Sequence, residues 1–286
     1  MGAALRGGAL AVLVCAWAVS AWADGSDVTD NDRVWANFTR EAATVGDSHF
    51  WLELRGMKLD DGGGPKLGLS GYPIDDPSIG HIDGGRFDLV GAYGFWNGAE
   101  VGADFPFVMQ EDITTIGTTV SPSGELTRNH DEKVSPGDLV LYGKFKRELA
   151  EHWAGALGLE ISVPTGSEND FLGSGDFGLN PFLSTRYQTG PFAFGGHVGF
   201  LLNTGNQADV FNWSLEAIAR YNAYLSFRCE LNDRLFRDGE TFNDMTILPG
   251  LDLDLIEHIV IRPQGLAHLT GDAIDWGVGV GIAFTL

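Results

Sequence analysis

Only two cysteines occur, Cys15 and Cys229. The first falls inside an apolar leader, so the remainder of the chain holds one thiol and no internal disulfide. Basic residues are scarce: 18 Lys and Arg stand against 39 Asp and Glu, a formal charge of -21. The basic footprint of a nucleic-acid binder is therefore missing. Long apolar runs are missing too. Beyond residue 23 no window of 18 uncharged apolar residues occurs, so no transmembrane helix is expected. Catalytic fingerprints are also lacking. There is no Gly-x-Ser-x-Gly elbow, no His-Glu-x-x-His pair, no Walker loop and no dinucleotide fingerprint. The expected catalytic residues, cofactors and metal ligands are accordingly none.

Glycine is plentiful at 40 residues, but it is scattered without period, which excludes a collagen. The start of the chain reads as a secretory signal: Arg6, the apolar core "ALAVLVCAWAV" (9–19), and a small-x-small cleavage site "AWA" (21–23) before Asp24. That core is too short to span a hydrocarbon layer of about 30 Å. The expected organisation is a signal peptide over 1–23, a periplasmic or lumenal segment over 24–46, and a β-barrel over 47–286.

The rest of the sequence alternates with period two. In "DWGVGVGIAFTL" (275–286), Trp276, Val278, Val280, Ile282, Phe284 and Leu286 alternate with Gly277, Gly279, Gly281, Ala283 and Thr285. A strand with two unlike faces has this pattern. Strands are predicted over 49–56, 86–95, 98–108, 138–148, 153–164, 176–187, 191–202, 212–222, 225–235, 244–255, 258–268 and 275–286. A soluble sandwich would bury the oily row against a second sheet. Three features favour a barrel instead. Long connections (57–85, 109–137, 165–175, 203–211, 236–243, 269–274) alternate with short ones, as in outer-membrane meanders. Trp96, Trp153, Tyr187 and Tyr221 gather at the short-turn side, with Trp213 and Trp276 at the other, where amphipathic rings settle at headgroup level. An even strand count ending on a strand closes the sheet and leaves no edge in lipid. The expected fold is all-β: an up-and-down antiparallel transmembrane β-barrel of about 12 strands, with the small row of the last strand facing a crowded interior.

The stretch "SPGDLVLYGKFKREL" followed by "WAGALGLEISVPTGSENDFLGSGDFGLNPFLSTRY" (135–187) resembles the outer-membrane transporters named for the meta-pathway of phenol degradation. The carriers are Gly-Asp before a strand with a Lys, a strand ending Pro-Thr-Gly, and Gly-x-Gly-Asp before another strand. "TREAATVGDSHFWLEL" (39–54) is similar to that family's first strand. The resemblance implies an outer-membrane barrel concerned with uptake of small, often hydrophobic or aromatic molecules.

If the oily rows face out, the opposite parity faces in. It carries Glu53, Arg55, Asp88, Asp104, Lys146, Glu216, Arg220, Glu230, Asp252 and Asp254, besides the six residues nearest mid-strand: Glu100, Lys144, Glu160, Arg186, Arg228 and Arg262. Lone buried ions are costly, so these must pair or be wetted by a channel. The six mid-strand residues are the expected lining of the transport path. His197 and His268 also point inward, where either could pair with a carboxylate, and Cys229 falls on the oily face. Loop carboxylates Asp60, Asp61, Asp75, Asp76 and Asp83 lie among glycines, yet their spacing matches no EF-hand.

The expected function is an outer-membrane channel or transporter for small solutes, hydrophobic or aromatic ones among them, exported to the outer membrane of a Gram-negative bacterium. Expected partners are outer-membrane lipids, a small-molecule solute and the barrel-assembly machinery through the C-terminal strand. The alternatives are an adhesion barrel working through acidic loops and a lipid-modifying barrel enzyme. The enzyme would need an outward Ser–His pair, and the outward row is almost all apolar.

Overall fold

The structure is a computed structural model, and it describes residues 48–61, 79–95, 98–115, 128–129, 133–167, 173–205, 207–238, 240–256, 258–270 and 276–286. The expected leader over 1–23, the segment over 24–46, Trp96, Asp75 and Asp76 lie outside the described residues.

Alternating sequence becomes alternating strand. The described strands are β1 (Phe50–Asp61), β2 (Ile79–Gly94), β3 (Ala99–Thr115), β4 (Arg128–Asn129), β5 (Lys133–Pro136), β6 (Leu139–Ala150) and β7 (Trp153–Val163). They continue with β8 (Gly178–Thr189), β9 (Phe192–Asn203), β10 (Asp209–Asn222), β11 (Leu225–Asp238), β12 (Glu240–Ile256), β13 (Ile259–Thr270) and β14 (Trp276–Thr285). All but the short β4 and β5 form one closed antiparallel barrel of twelve strands. Neighbours in sequence are neighbours in space, and β14 returns to β1. Phe50 and Leu286 seal that seam by exchanging two backbone hydrogen bonds of 2.8 Å.

The two faces separate by chemistry. Leu157, Leu183 and Val198 sit side by side across β7, β8 and β9 on the outside, with Leu157 63% and Leu183 57% exposed. Trp276, Val278, Val280 and Ile282 continue the belt on β14. Inside, Glu53 and Arg262 are each 1% exposed. A soluble sandwich would show the reverse. A closed sheet that is oily outside and ionic inside is built for hydrocarbon. Rings mark the ends: Trp153 and Tyr187 pack at 5.0 Å on the short-turn end.

Strands outrun their expected limits at the loop end. β1 runs on to Asp61, β2 begins at Ile79, and Asp60 and Asp83 are Cα partners. β3 continues to Thr115 and takes β4 and β5 as partners inside the expected 109–137 loop. The long loop expected over 236–243 is instead strand up to Asp238 and from Glu240, which pair with each other. Above the lipid belt a ladder no longer needs an oily outer row, so the hydropathy signal fades while the backbone hydrogen bonds persist.

The Gly-Asp, Pro-Thr-Gly and Gly-x-Gly-Asp pieces meet at this loop end. Asp138, buried between β5 and β6, accepts from Gly166 N (3.0 Å), Ser174 N (2.7 Å) and Ser174 Oγ (2.6 Å). Thr165 Oγ1 accepts from Leu139 N at 3.0 Å and donates to the Gly137 carbonyl at 2.7 Å. Asp176 Oδ2 accepts from Gln207 N at 3.2 Å. These motifs are a clasp tying the ends of β6, β7 and β8 together. Hydrogen bonds to a buried carboxylate contribute about 1.5–3 kcal/mol each. Asp138→Ala is expected to loosen the rim rather than the whole barrel. Limited proteolysis should then cut near 164–176 well before global unfolding by urea, and equal protection of variant and parent would sink the clasp.

Candidate functional site

The lumen is shaped by small residues. Gly281 of β14 is the Cα partner of both Arg55 on β1 and Arg262 on β13. A Cβ there would come within 2.8 Å of Glu53 Oε1, so the bare inner row of the last strand is the space into which its neighbours' ionic side chains reach. Gly102 and Gly158 act likewise for rings. A Cβ at Gly102 would overlap the Tyr142 ring, and one at Gly158 the Phe182 ring. Both rings therefore lie flat along the inner wall.

A band of ion pairs crosses the lumen toward its short-turn end. Arg262 is the hub. Its Nη1 lies 3.0 Å from Glu53 Oε2, its Nε 3.3 Å from Asp252 Oδ1, and its guanidinium carbon 5.0 Å from the Trp51 ring centre. Arg228 Nη2 approaches the same Asp252 oxygen at 3.7 Å. Farther round, Lys144 Nζ stands 3.3 Å from Glu100 Oε1, which also accepts from Tyr142 Oη at 2.9 Å. Arg55 Nη2 reaches Asp104 Oδ2 at 3.4 Å. Each ion is removed from bulk water, and each is neutralised by an opposite charge, as burial requires.

A second cluster lies nearer the loop end, where Arg234 and His268 share Asp244, at 3.0 Å from Arg234 Nε and 2.8 Å from His268 Nδ1. His268 thus takes the carboxylate partner foreseen for it. His197 faces Asn212 Oδ1 at 3.0 Å. Among the described residues, no group of three or more His, Cys, Asp or Glu sits together as a metal site.

All six mid-strand candidates lie on inward positions. Glu100, Lys144, Arg228 and Arg262 join the ionic band. Glu160 is half-buried above it and accepts from Asn180 Nδ2 at 2.6 Å. Arg186 is buried at the short-turn end and lines a cavity of about 370 Å³ together with Lys146, Glu148, His152 and Gln188. Trp51, Tyr142 and the bridging of Arg228 and Arg262 by Asp252 escape the sequence reading. Parity places all three inward, but which charge meets which depends on strand stagger.

No protein-family model and no curated protein matches the chain. Solved structures do. The fold is similar to the COG4313 outer membrane channel from Pseudomonas putida F1, with a TM-score of 0.64 and 11% identity over 89% of this chain and 100% of that one. It is also similar to the NanC porin (TM-score 0.56, 11% identity, 82% and 100% covered) and the KdgM porin (0.54, 9%, 82% and 98%). At such identities the likeness is one of fold: this chain has the architecture of outer-membrane barrel channels.

Proposed function

We propose that this protein is an outer-membrane channel for small polar or charged solutes, lined by Glu100, Lys144, Glu160, Arg186, Arg228 and Arg262. The observation that carries the reading is the paired ionic band inside an oily, closed barrel. The apolar row of each strand is committed to the outer belt, and the inward row is left polar, as in outer-membrane barrels that carry a lumen. Membership of the phenol meta-pathway family, with aromatic cargo, is the finer expectation. An inward row that is ionic rather than apolar offers a hydrocarbon no oily surface to bind, which favours polar cargo. The fold likeness to porins supports this, and one KdgM porin structure is a complex with disordered oligogalacturonate. On this reading the belt meets outer-membrane lipid after export through the signal peptide. The outward Trp276, Val278, Val280, Ile282 and Phe284 present β14 to the assembly machinery.

Purified protein in a planar bilayer is expected to conduct KCl with weak ion selectivity, since its lining carries both signs. Lys144→Glu places a second acid beside Glu100 and should raise the cation-to-anion permeability ratio several-fold, read from the reversal potential in a KCl gradient. A barrel that passes neither KCl nor a small sugar in liposome swelling ends the reading.

A further inference from the structure

We infer that a row of hydroxyl, amide and imidazole side chains on the inner wall is a binding track for a neutral polyhydroxylated solute, a small sugar or a polyol. The inference deepens the channel reading and rests on it. The row is set by register. Ser184 on β8 is the Cα partner of His197 on β9, His197 of Ser214 on β10, and Ser214 of Asn232 on β11. Asn232 is in turn the partner of Thr246 on β12, and Thr246 of His268 on β13. Parity turns all six inward, and the first five are buried. Each step round the wall is about 4.8 Å. Barrel strands lean about 35–45° from the axis, so the row climbs as it goes round. It starts at mid-strand on β8 and ends close to Thr270, the loop-end limit of β13.

Part of the row's hydrogen-bonding capacity is unspent. Ser184 Oγ, Asn232 Nδ2 and Thr246 Oγ1 are buried and meet no hydrogen-bond partner among the described residues. Buried polar groups are nearly always bonded, so three such atoms in one row point to a partner from outside the chain. A fourth lies just above them. Asn180 Nδ2 donates to Glu160 Oε2, and Asn180 Oδ1, aimed at Gly199, has no such partner. The bare inner side of Gly199 admits a convergence of polar atoms. A Cβ there would lie 2.6, 2.8 and 3.2 Å from Asn180 Oδ1, Asn212 Oδ1 and His197 Nε2. Phe182 backs the His197 ring at 5.2 Å.

The chemistry selects hydroxyls. Ser, Thr, Asn and neutral His each offer both a donor and an acceptor. A sugar hydroxyl does the same, whereas an ammonium only donates and a carboxylate only accepts. The neighbouring rows carry both signs, Arg186 with Glu216 on one side and Arg234 with Asp244 on the other. Neither a cation nor an anion is therefore favoured along the whole track. A molecule with hydroxyls on several carbons can hold two steps at once and advance without letting go.

Saturation-transfer NMR of the full chain in detergent, with glucose, gluconate and glucosamine as probes of similar size, tests the track. Glucose should bind saturably and more tightly than either charged analogue. Asn232→Leu and Thr246→Val keep the volume but remove the hydrogen-bonding group, and each should weaken glucose binding several-fold. Neither should lower the urea midpoint, because each deletes a buried polar atom that the fold leaves unpaired; a merely structural role predicts the reverse. Folding of both variants is checked by heat-dependent gel mobility. Folded parent protein that binds no glucose, which leaves water as the partner of the row, overturns the inference. So does gluconate or glucosamine binding ahead of glucose, or glucose binding indifferent to both substitutions. Bilayer conductance of the same samples separates the two readings. Conduction without glucose binding removes the track alone, and binding without conduction removes the channel and with it the row's part in passage.

Discussion

Arg262→Met is expected to lower the stability of the barrel by about 3–5 kcal/mol. Methionine fills much of the same volume, so the loss is electrostatic. Glu53 and Asp252 would keep their buried charges and lose the guanidinium 3.0 and 3.3 Å away. The stacking of that guanidinium over Trp51 goes with it. Adding Glu53→Gln should restore part of the loss, because it removes the carboxylate that Arg262 neutralised, whereas Asp252 keeps Arg228 at 3.7 Å. Urea unfolding in lipid vesicles, followed by tryptophan fluorescence, measures both. An unchanged midpoint for Arg262→Met would show that the ionic band contributes nothing to holding the wall.

Leu183→Arg is expected to cost about 2–4 kcal/mol, the effect of an arginine on the lipid face near the bilayer midplane. Leu183 sits mid-strand on β8, between the outward Leu157 and Val198. Its neighbours in sequence, Phe182 and Ser184, are buried in the lumen. Leu183→Phe, which keeps the face apolar, should leave the urea midpoint nearly unchanged. A soluble protein would tolerate arginine at a site this exposed. Equal stability of the two variants in vesicles would therefore remove hydrocarbon from around the belt.

The barrel was readable because lipid enforces a strict rule along each strand. Every outward position within the belt must be apolar, so "WAGALGLEISV" and "WGVGVGIAFT" announce both their faces and their limits. Outside the belt the rule lapses. The polar, glycine-rich ends of β1 and β2 and the paired run to Asp238 and Glu240 thus read as loops although they are ladders. Parity likewise sends Asp252, Arg228 and Arg262 inward, but stagger decides that one carboxylate serves two guanidinia. Trp51 escaped for a related reason: one aromatic inside a short strand does not reveal that a cation lies over it. The motifs behind the family resemblance were legible as motifs. Their joint role as a rim clasp became visible only when Asp138, Gly166 and Ser174 came together.

Glu53 and Arg262 meet across 209 residues of chain. Bringing such distant segments together carries an entropy cost that grows with the logarithm of the intervening length. Neighbouring hairpins can zip early, because each closes over a few residues, but the ring cannot shut until β13 and β14 exist. A nascent sheet lacking them presents a raw hydrogen-bonding margin and a carboxylate with no cation in front of it. Closure of β14 on β1 joins the wall and completes the charge network in a single event.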